Sequence, residues 1–346
     1  MNKCLVTKLN ATVDNDSLLY MGELRIPVEK LTSATSTTQK LIITFNEDTY
    51  IEIIGNGYFT DENLTANLGK KKQIPANVET TTYFSNGDFS ISIKNKYALT
   101  GINMKNALVD IGEFKYSNSL TKLQFQNCTK VTGDLDALKN LTAINLLYLS
   151  STKVTGDIAA LKNMTALIDL YLSNTKVTGD IAALKNCASL INVNLRNSNT
   201  KGNIAVLGYT ISLRTCGFNS LFGDIAVLNN TKLTDIVISN SGGLTGDIAK
   251  LKSNFKYLGL NEDSTSTFTW SSRDTNSIIF GNGGCPILST SLDDMLINMA
   301  QCRNGLTSSS VSWEKVISYQ GKRTSASDAA VEKLQSYGYT VSIVKS

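Results

Sequence analysis

Ser151-Thr-Lys-Val-Thr-Gly-Asp-Ile-Ala-Ala-Leu-Lys-Asn163 returns at Asn174 to Asn186 with only its first residue changed, and a diverged copy runs from Thr129 to Asn140. The glycine of this block recurs at Gly133, Gly156, Gly179, Gly202, Gly223 and Gly246, with spacings of 23, 23, 23, 21 and 23 residues. A fixed period of this size marks a chain wound into stacked coils, none of which buries its apolar residues alone. Upstream of each glycine lies an apolar pattern of spacing three then two: Ile144, Leu147, Leu149; Leu167, Leu170, Leu172; Leu190, Val193, Leu195. Shifted by one or two residues, it returns as Leu120, Leu123, Phe125; Leu213, Cys216, Phe218; and Leu233, Ile236, Ile238. Phe255, Leu258, Leu260 read as a seventh strand, and Val109 to Phe114 as a degenerate leading copy.

On an extended chain, side chains alternate sides, so the last two apolar residues of each pattern point inward and the residue between them points out. Coils stacked as parallel strands place each inward leucine on its counterpart in the next coil. At about 4.8 Å per strand, seven strands make an outward face on the order of 30 Å long. That size suits a protein or an oligosaccharide better than a small metabolite.

The LxxLxL strand followed by Val-Thr-Gly-Asp-Ile-Ala-x-Leu resembles the leucine-rich-repeat family over roughly residues 106 to 262. The block is similar to the Leu-Thr-Gly-x-Ile-Pro element of plant receptor and bacterial members, with alanine in place of the proline, which permits a short helical turn. The resemblance implies an α/β solenoid with a parallel β ladder and a non-enzymatic binding role.

Composition agrees with a folded, non-catalytic chain. Of 346 residues, 42% are hydrophobic and 18% charged, and the formal net charge is +4 with no extended basic run beyond Lys70-Lys71-Lys72. Neither a nucleic-acid groove nor a membrane-spanning helix is expected. Histidine is absent, which removes Ser-His-Asp and Cys-His nucleophiles and histidine-bearing zinc sites. The six cysteines lack a CxxC pair, so no metal or other cofactor is expected, and Cys128 and Cys216 serve as small apolar residues within the repeat. The first residues carry no apolar stretch of signal-peptide length.

Two rows of polar residues are candidates for chemistry. The acids Asp134, Asp157, Asp180, Asp224 and Asp247 could bind calcium or cut glycosidic bonds, but Asn203 stands at the equivalent place and keeps only the ability to cap a helical turn. Capping is the expected role. The outward ladder residues are the better candidates: Gln124, Tyr148, Tyr171 and Asn194, flanked by Asp169, Asn192 and Tyr257 on one side and by Arg196 on the other. Paired tyrosines beside an arginine suit a glycan or a protein hot spot, although tyrosine is also simply a good strand former.

Residues 1–105 read as an N-terminal all-β domain. Lys40 to Ile54, broken at Asn46-Glu47-Asp48, predicts one hairpin, and Tyr83 to Ile93, around Asn86-Gly87, predicts another. Residues 263–346 read as an α/β C-terminal cap: a helix over Leu292 to Ala300, a strand over Val311 to Tyr319, a helix from Ser325 to Tyr337 opened by a Ser325/Asp328 capping box, and a strand over Tyr339 to Val344.

The Met-x-Lys-Cys-Leu-Val-Thr-Lys-Leu opening, Asn15 to Leu19, and the closing Thr324 to Val341 stretch resemble leucine-rich-repeat proteins of bacteriophages and prophage-like elements of gut Bacteroidetes, which are similar to virion fibre or tail-tip components. This resemblance implies a virion adhesin bound to a host cell-surface protein or glycan, docked on other virion proteins through its N-terminal domain, and homo-oligomeric. A bacterial protein-interaction module, in the cytoplasm or at the cell surface, is the alternative. A polysaccharide depolymerase is the third.

Overall fold

A computed structural model describes residues 23–28, 39–62, 65–85, 89–105, 107–210, 212–239, 243–255, 257–261, 266–279, 281–288, 291–306, 315–319 and 321–343. The chain divides into two compact units, residues 1–109 with 116–120 and residues 110–115 with 121–346.

In the first unit, antiparallel strands form two sets. One runs in the order Leu24–Val28, Phe89–Ile93, Thr49–Gly55, Lys71–Ile74; the other in the order Leu99–Met104, Gln39–Phe45, Thr80–Phe84, Phe59–Thr60, Asn67–Gly69. Alternation drives the arrangement: Leu24, Ile26 and Val28 are buried while Arg25 and Pro27 are exposed. Both expected hairpins are corrected here. Gln39–Phe45 and Thr49–Gly55 pair with other strands rather than with each other, as do Thr80–Phe84 and Phe89–Ile93. The chain changes sheet at each of these turns, so that Ile43, Phe45, Ile51, Ile53, Phe84 and Ile91 all bury their side chains. Phe84 and Phe89 meet at 5.7 Å across one such turn. Asn86 and Gly87 lie outside the described residues.

The second unit opens with the coils predicted from the repeat. Seven short strands pair in parallel, Lys122–Gln124, Leu146–Tyr148, Asp169–Tyr171, Asn192–Asn194, Thr215–Asn219, Asp235–Ser239 and Tyr257–Asn261, in the order of the chain. Their register puts Leu123, Leu147, Leu170, Val193 and Cys216 in one inward row. Leu123, Leu147 and Leu170 are wholly buried, as are Leu149, Leu172 and Leu195 in the next inward row. This is a solenoid-like α/β fold. Three residues after each of the first four strands a residue in the left-handed region turns the chain, at Asn127, Ser151, Asn174 and Asn197, with φ between 55 and 61°. Behind the last three of these turns a buried hydroxyl satisfies a carbonyl: Thr152, Thr175 and Ser198 donate at 2.6 Å to Leu149, Leu172 and Leu195.

The Thr-Gly-Asp block, read from sequence as a turn, builds a second parallel ladder. Thr178–Asp180, Asn199–Asn203, Leu221–Asp224, Leu244–Asp247 and Thr267–Thr269 pair in sequence, preceded by single bridges from Asp110 to Thr132, Asp134 to Thr155 and Asp157 to Thr178. The physical reason is that the capping aspartates keep extended backbone, φ −93° and ψ 132° at Asp157, which lets the coil edge accept and donate ladder bonds. Thr155 and Thr178 donate their N–H groups at 2.9 Å to the carbonyls of Gly133 and Gly156 one coil back.

Gly179 shows why the block needs glycine. Its φ is +104°, and a Cβ there would collide with the carboxylate of Asp157 in the preceding coil. The same nesting of glycine against the previous acid occurs at Gly133, Gly156, Gly202 and Gly246.

Beyond residue 269 the second ladder continues through Asn282–Leu288, Val316–Tyr319 and Thr340–Ile343, all parallel, with helices Leu292–Gln301 and Asp328–Ser336 in the connections. Here an α-helix occupies the place that a 3-10 turn holds in earlier coils, and the two helices pack together. Arg273, only 3% exposed, joins this region to the last regular coil by donating to the carbonyls of Leu251, Lys252, Phe255 and Ile278. The expected Ser325/Asp328 capping box is not formed. A 3-10 turn, Ser325–Ser327, precedes the helix instead, and Thr324 caps that turn by accepting the Ala326 N–H at 3.2 Å while its own N–H and hydroxyl donate to Asp293 of the other helix. Of the expected strand over Val311 to Tyr319, residues 311–314 lie outside the described residues.

Because each inward leucine touches its counterparts in adjacent coils, one truncation damages two interfaces. Leu170→Ala is expected to cost about 2–5 kcal/mol, read from the urea midpoint. An unchanged midpoint would mean that the leucine row does not bear the coil stack.

Candidate binding face

The site is built from the outward residues of the first ladder. Register places Gln124, Tyr148, Tyr171, Asn194, Gly217, Val237 and Gly259 in one row, and Lys122, Leu146, Asp169, Asn192 and Thr215 in the row beside it. The side chains of Gln124, Tyr148, Tyr171, Asp169, Asn192, Asn194 and Arg196 are all half-buried, as expected of residues standing side by side on a sheet.

Three of them are joined by hydrogen bonds. The Tyr148 hydroxyl donates to Asp169 Oδ2 at 2.6 Å, and the Asn192 amide donates to Asp169 Oδ1 at 2.7 Å. Tyr148 and Tyr171 meet edge to face, with ring centroids 4.7 Å apart and an interplanar angle of 62°. Ladder spacing dictates this contact, since equivalent side chains of adjacent coils cannot stand much farther apart. Burial raises both phenol pKa values above the ordinary 10.0, and the Asp169 carboxylate raises them further, by a hydrogen bond to Tyr148 and by its charge on both rings.

Arg196 sits at the margin. Its Nε donates to Asn194 Oδ1 at 3.4 Å, and its aliphatic stem lies over Gly217, where a Cβ would come within 2.9 Å of it. Glycine at 217 is thus what gives Arg196 room to lie flat. Tyr257 is a correction. Expected on the open face, it is 3% exposed, because Gly259 beside it presents no side chain and the Tyr257 ring folds over that gap. The half-buried outward candidates therefore run from Gln124 on the first strand to Arg196, just past the fourth.

The row of acids has another job. Asp110, Asp134, Asp157, Asp180, Asp224 and Asp247, with Asn203 among them, each accept through Oδ1 a backbone N–H two residues on, at 2.7–3.0 Å, and so cap the 3-10 turns that follow. A groove of about 570 Å³ runs between two of these turns, lined by Asp134, Asp136 and Asp157 with Lys139 and Lys162. Its acids are engaged by backbone donors and by a 3.0 Å ion pair between Lys139 and Asp136. Among the described residues no cluster of three or more acids, cysteines or histidines could hold a metal ion. Cys128, Cys187 and Cys302 are buried, and burial pushes the Cys187 thiol up to about 11. No helix among the described residues is long and apolar enough to cross a membrane.

The outer edge of the coils holds two exposed aromatics that were not singled out from the sequence, Tyr209 and Phe222, 64% and 44% exposed. The signal was available as departure from the repeat. Phe222 stands where Thr155 and Thr178 stand in earlier coils, and Tyr209 where Asn163 and Asn186 stand.

The capping role and the phenol shifts give two tests. Asp157→Ala should lose about 1 kcal/mol of stability while Asp157→Asn stays within a few tenths, by denaturant melting. In a spectrophotometric titration, Tyr148 and Tyr171 should ionise after the exposed tyrosines. Their raised pKa values contribute stability that is complete below pH 10 and declines as pH rises toward the folded-state values, so Asp169→Asn should flatten the alkaline loss.

No protein-family model and no curated protein sequence matches this chain. Several solved structures are similar to it at low identity. The leucine-rich-repeat ectodomain of the receptor kinase GASSHO1/SCHENGEN3 from Arabidopsis thaliana, solved with CASPARIAN STRIP INTEGRITY FACTOR 2, is 16% identical over 59% of this chain and 32% of that one, with a TM-score of 0.41. Internalin C2 from Listeria monocytogenes is 21% identical over 50% of this chain and 82% of its own, with a TM-score of 0.37. A TDR receptor is 16% identical over 60% of this chain and 46% of that one, with a TM-score of 0.43. This chain thus spans about a third of the length of the first receptor ectodomain, and the solenoid assignment stands on the ladder registers themselves.

Proposed function

We propose that this chain is a non-enzymatic binding protein that recognises a macromolecular partner through the first four strands of its outward ladder. The observation that supports this most is the Tyr148–Tyr171 pair pinned by Asp169 and Asn192. A half-buried aromatic pair held by hydrogen bonds offers large contact area at little entropic cost on binding, the property that makes tyrosine a hot-spot residue. The regular acids each use Oδ1 to cap a 3-10 turn, a task that Asn203 performs without a charge.

The partner class we favour is a bacterial host surface, with the chain acting as a virion adhesin whose first 105 residues dock on other particle proteins, residues 106–262 supply the recognition face, and residues 263–346 close the solenoid. This finer reading rests on the sequence resemblance of the two chain ends to phage leucine-rich-repeat proteins. A bacterial interaction module using the same face is the second reading, favoured by the protein-like size of the ladder.

Replacing Tyr148 and Tyr171 together with alanine should weaken adsorption of the purified protein to host cells by about 1–4 kcal/mol while circular dichroism stays unchanged. Equal adsorption by the folded double variant would overturn the assignment. Mass spectrometry of purified virions separates the two settings: the chain is found in the particle if it is an adhesin and is missing if it is a bacterial module.

A further inference from the structure

Asp169 stands out on the recognition face because nothing around it neutralises it. Its neighbours along the row are Leu146 and Asn192, and in the adjoining row Tyr148, Tyr171 and Asn194. On its other side lie Asn145, Ile168 and Ile191. None carries a charge. Its two hydrogen-bond donors, Tyr148 and Asn192, are neutral groups that fix the carboxylate without cancelling it, and no lysine or arginine among the described residues pairs with it. Each carboxylate oxygen accepts one of these bonds and keeps a lone pair for another donor.

The rings beside it add to the same field. A phenol that donates to a carboxylate gains electron density in its ring, so the face of Tyr148 becomes more negative. Tyr171, edge to face with it, borders the same half-buried spot. An unpaired carboxylate next to two electron-rich faces in a partly desolvated setting is the chemistry that receives a guanidinium or ammonium group. A neutral sugar would stack on the rings but leave the charge uncompensated, and an acidic sugar would be repelled.

We propose that the Tyr148–Tyr171–Asp169 patch is a receptor for a basic side chain, arginine or lysine, projected by an extended segment of a protein partner. This deepens the binding role proposed above and rests on it. Charge complementarity selects the occupant: the partner brings the cation that the immediate neighbours of Asp169 lack.

The test uses the full chain and a short soluble peptide in which arginines alternate with serines, paired with a twin in which citrulline replaces each arginine and so removes the charge at nearly constant shape. By isothermal titration, the arginine peptide should bind about tenfold or more tightly than its twin. Asp169→Asn, which keeps the shape and an acceptor, should erase that difference. Equal binding of the twins, a preference that survives Asp169→Asn, or no binding of the arginine peptide would each overturn the proposal, and the first and third need no variant to fold. A neutral oligosaccharide that binds and is lost in the Tyr148→Ala/Tyr171→Ala double variant would sink the cation assignment while leaving the face as the binding site. Unchanged host-cell adsorption by that double variant would sink the broader reading as well.

Discussion

The constraint on which the second unit depends is that each coil must lie on the next in exact register. Backbone bonds alone do not enforce this, since a parallel ladder tolerates a slip that preserves inward and outward sides. Side chains make the register unique. Leu147 meets Leu123 and Leu170, and a slip would drive the hydroxyls of Thr152 and Thr175 away from the carbonyls they satisfy. At the opposite edge of the coil, the capping acid of one turn fills the space that glycine leaves open in the next. The acid thus performs two tasks with one side chain: Oδ1 accepts the orphan N–H of its own 3-10 turn, and the carboxylate is the surface against which the next glycine seats.

That economy is why the row of acids, although it has the look of a catalytic or calcium-binding series, is structural. Asn203 makes the same 2.8 Å cap and seats Gly223, so the geometry asks for an acceptor rather than for a charge. The binding surface we propose lies on the first ladder, where the pattern of the coil leaves residue type free. There the repeat varies, from Gln124 through Tyr148 and Tyr171 to Asn194 and Gly217. Variation on a regular scaffold is how a solenoid acquires a specific face, because outward residues can change without disturbing the leucine rows.

The helix-bearing region after residue 269 uses the same logic at a longer wavelength. Strands remain parallel, but α-helices of ten and nine residues replace the short turns. A mismatch between the two coil types has to be absorbed somewhere, and Arg273 lies at that junction, buried and saturated with carbonyl acceptors that a regular turn would have satisfied within the backbone.

Much of this architecture was legible in the residues themselves. The 23-residue period, the inward leucines, the caps at Asp134 to Asp247 and the outward row from Gln124 to Asn194 all follow from alternation and from the donors that a short helical turn leaves unpaired, which are local rules. Other features depended on contacts between segments far apart in the chain. Whether Gln39–Phe45 folds back on Thr49–Gly55 or crosses to another sheet is decided by which partner buries Phe45 and Ile51, and the turn residues Asn46-Glu47-Asp48 are compatible with both. Likewise the Thr-Gly-Asp block reads as a turn in one coil and becomes a strand only beside its copy in the next, and Tyr257 leaves the open face only because Gly259 makes room for its ring. Period and polarity are written along the chain; pairing and exposure exist only once distant coils touch.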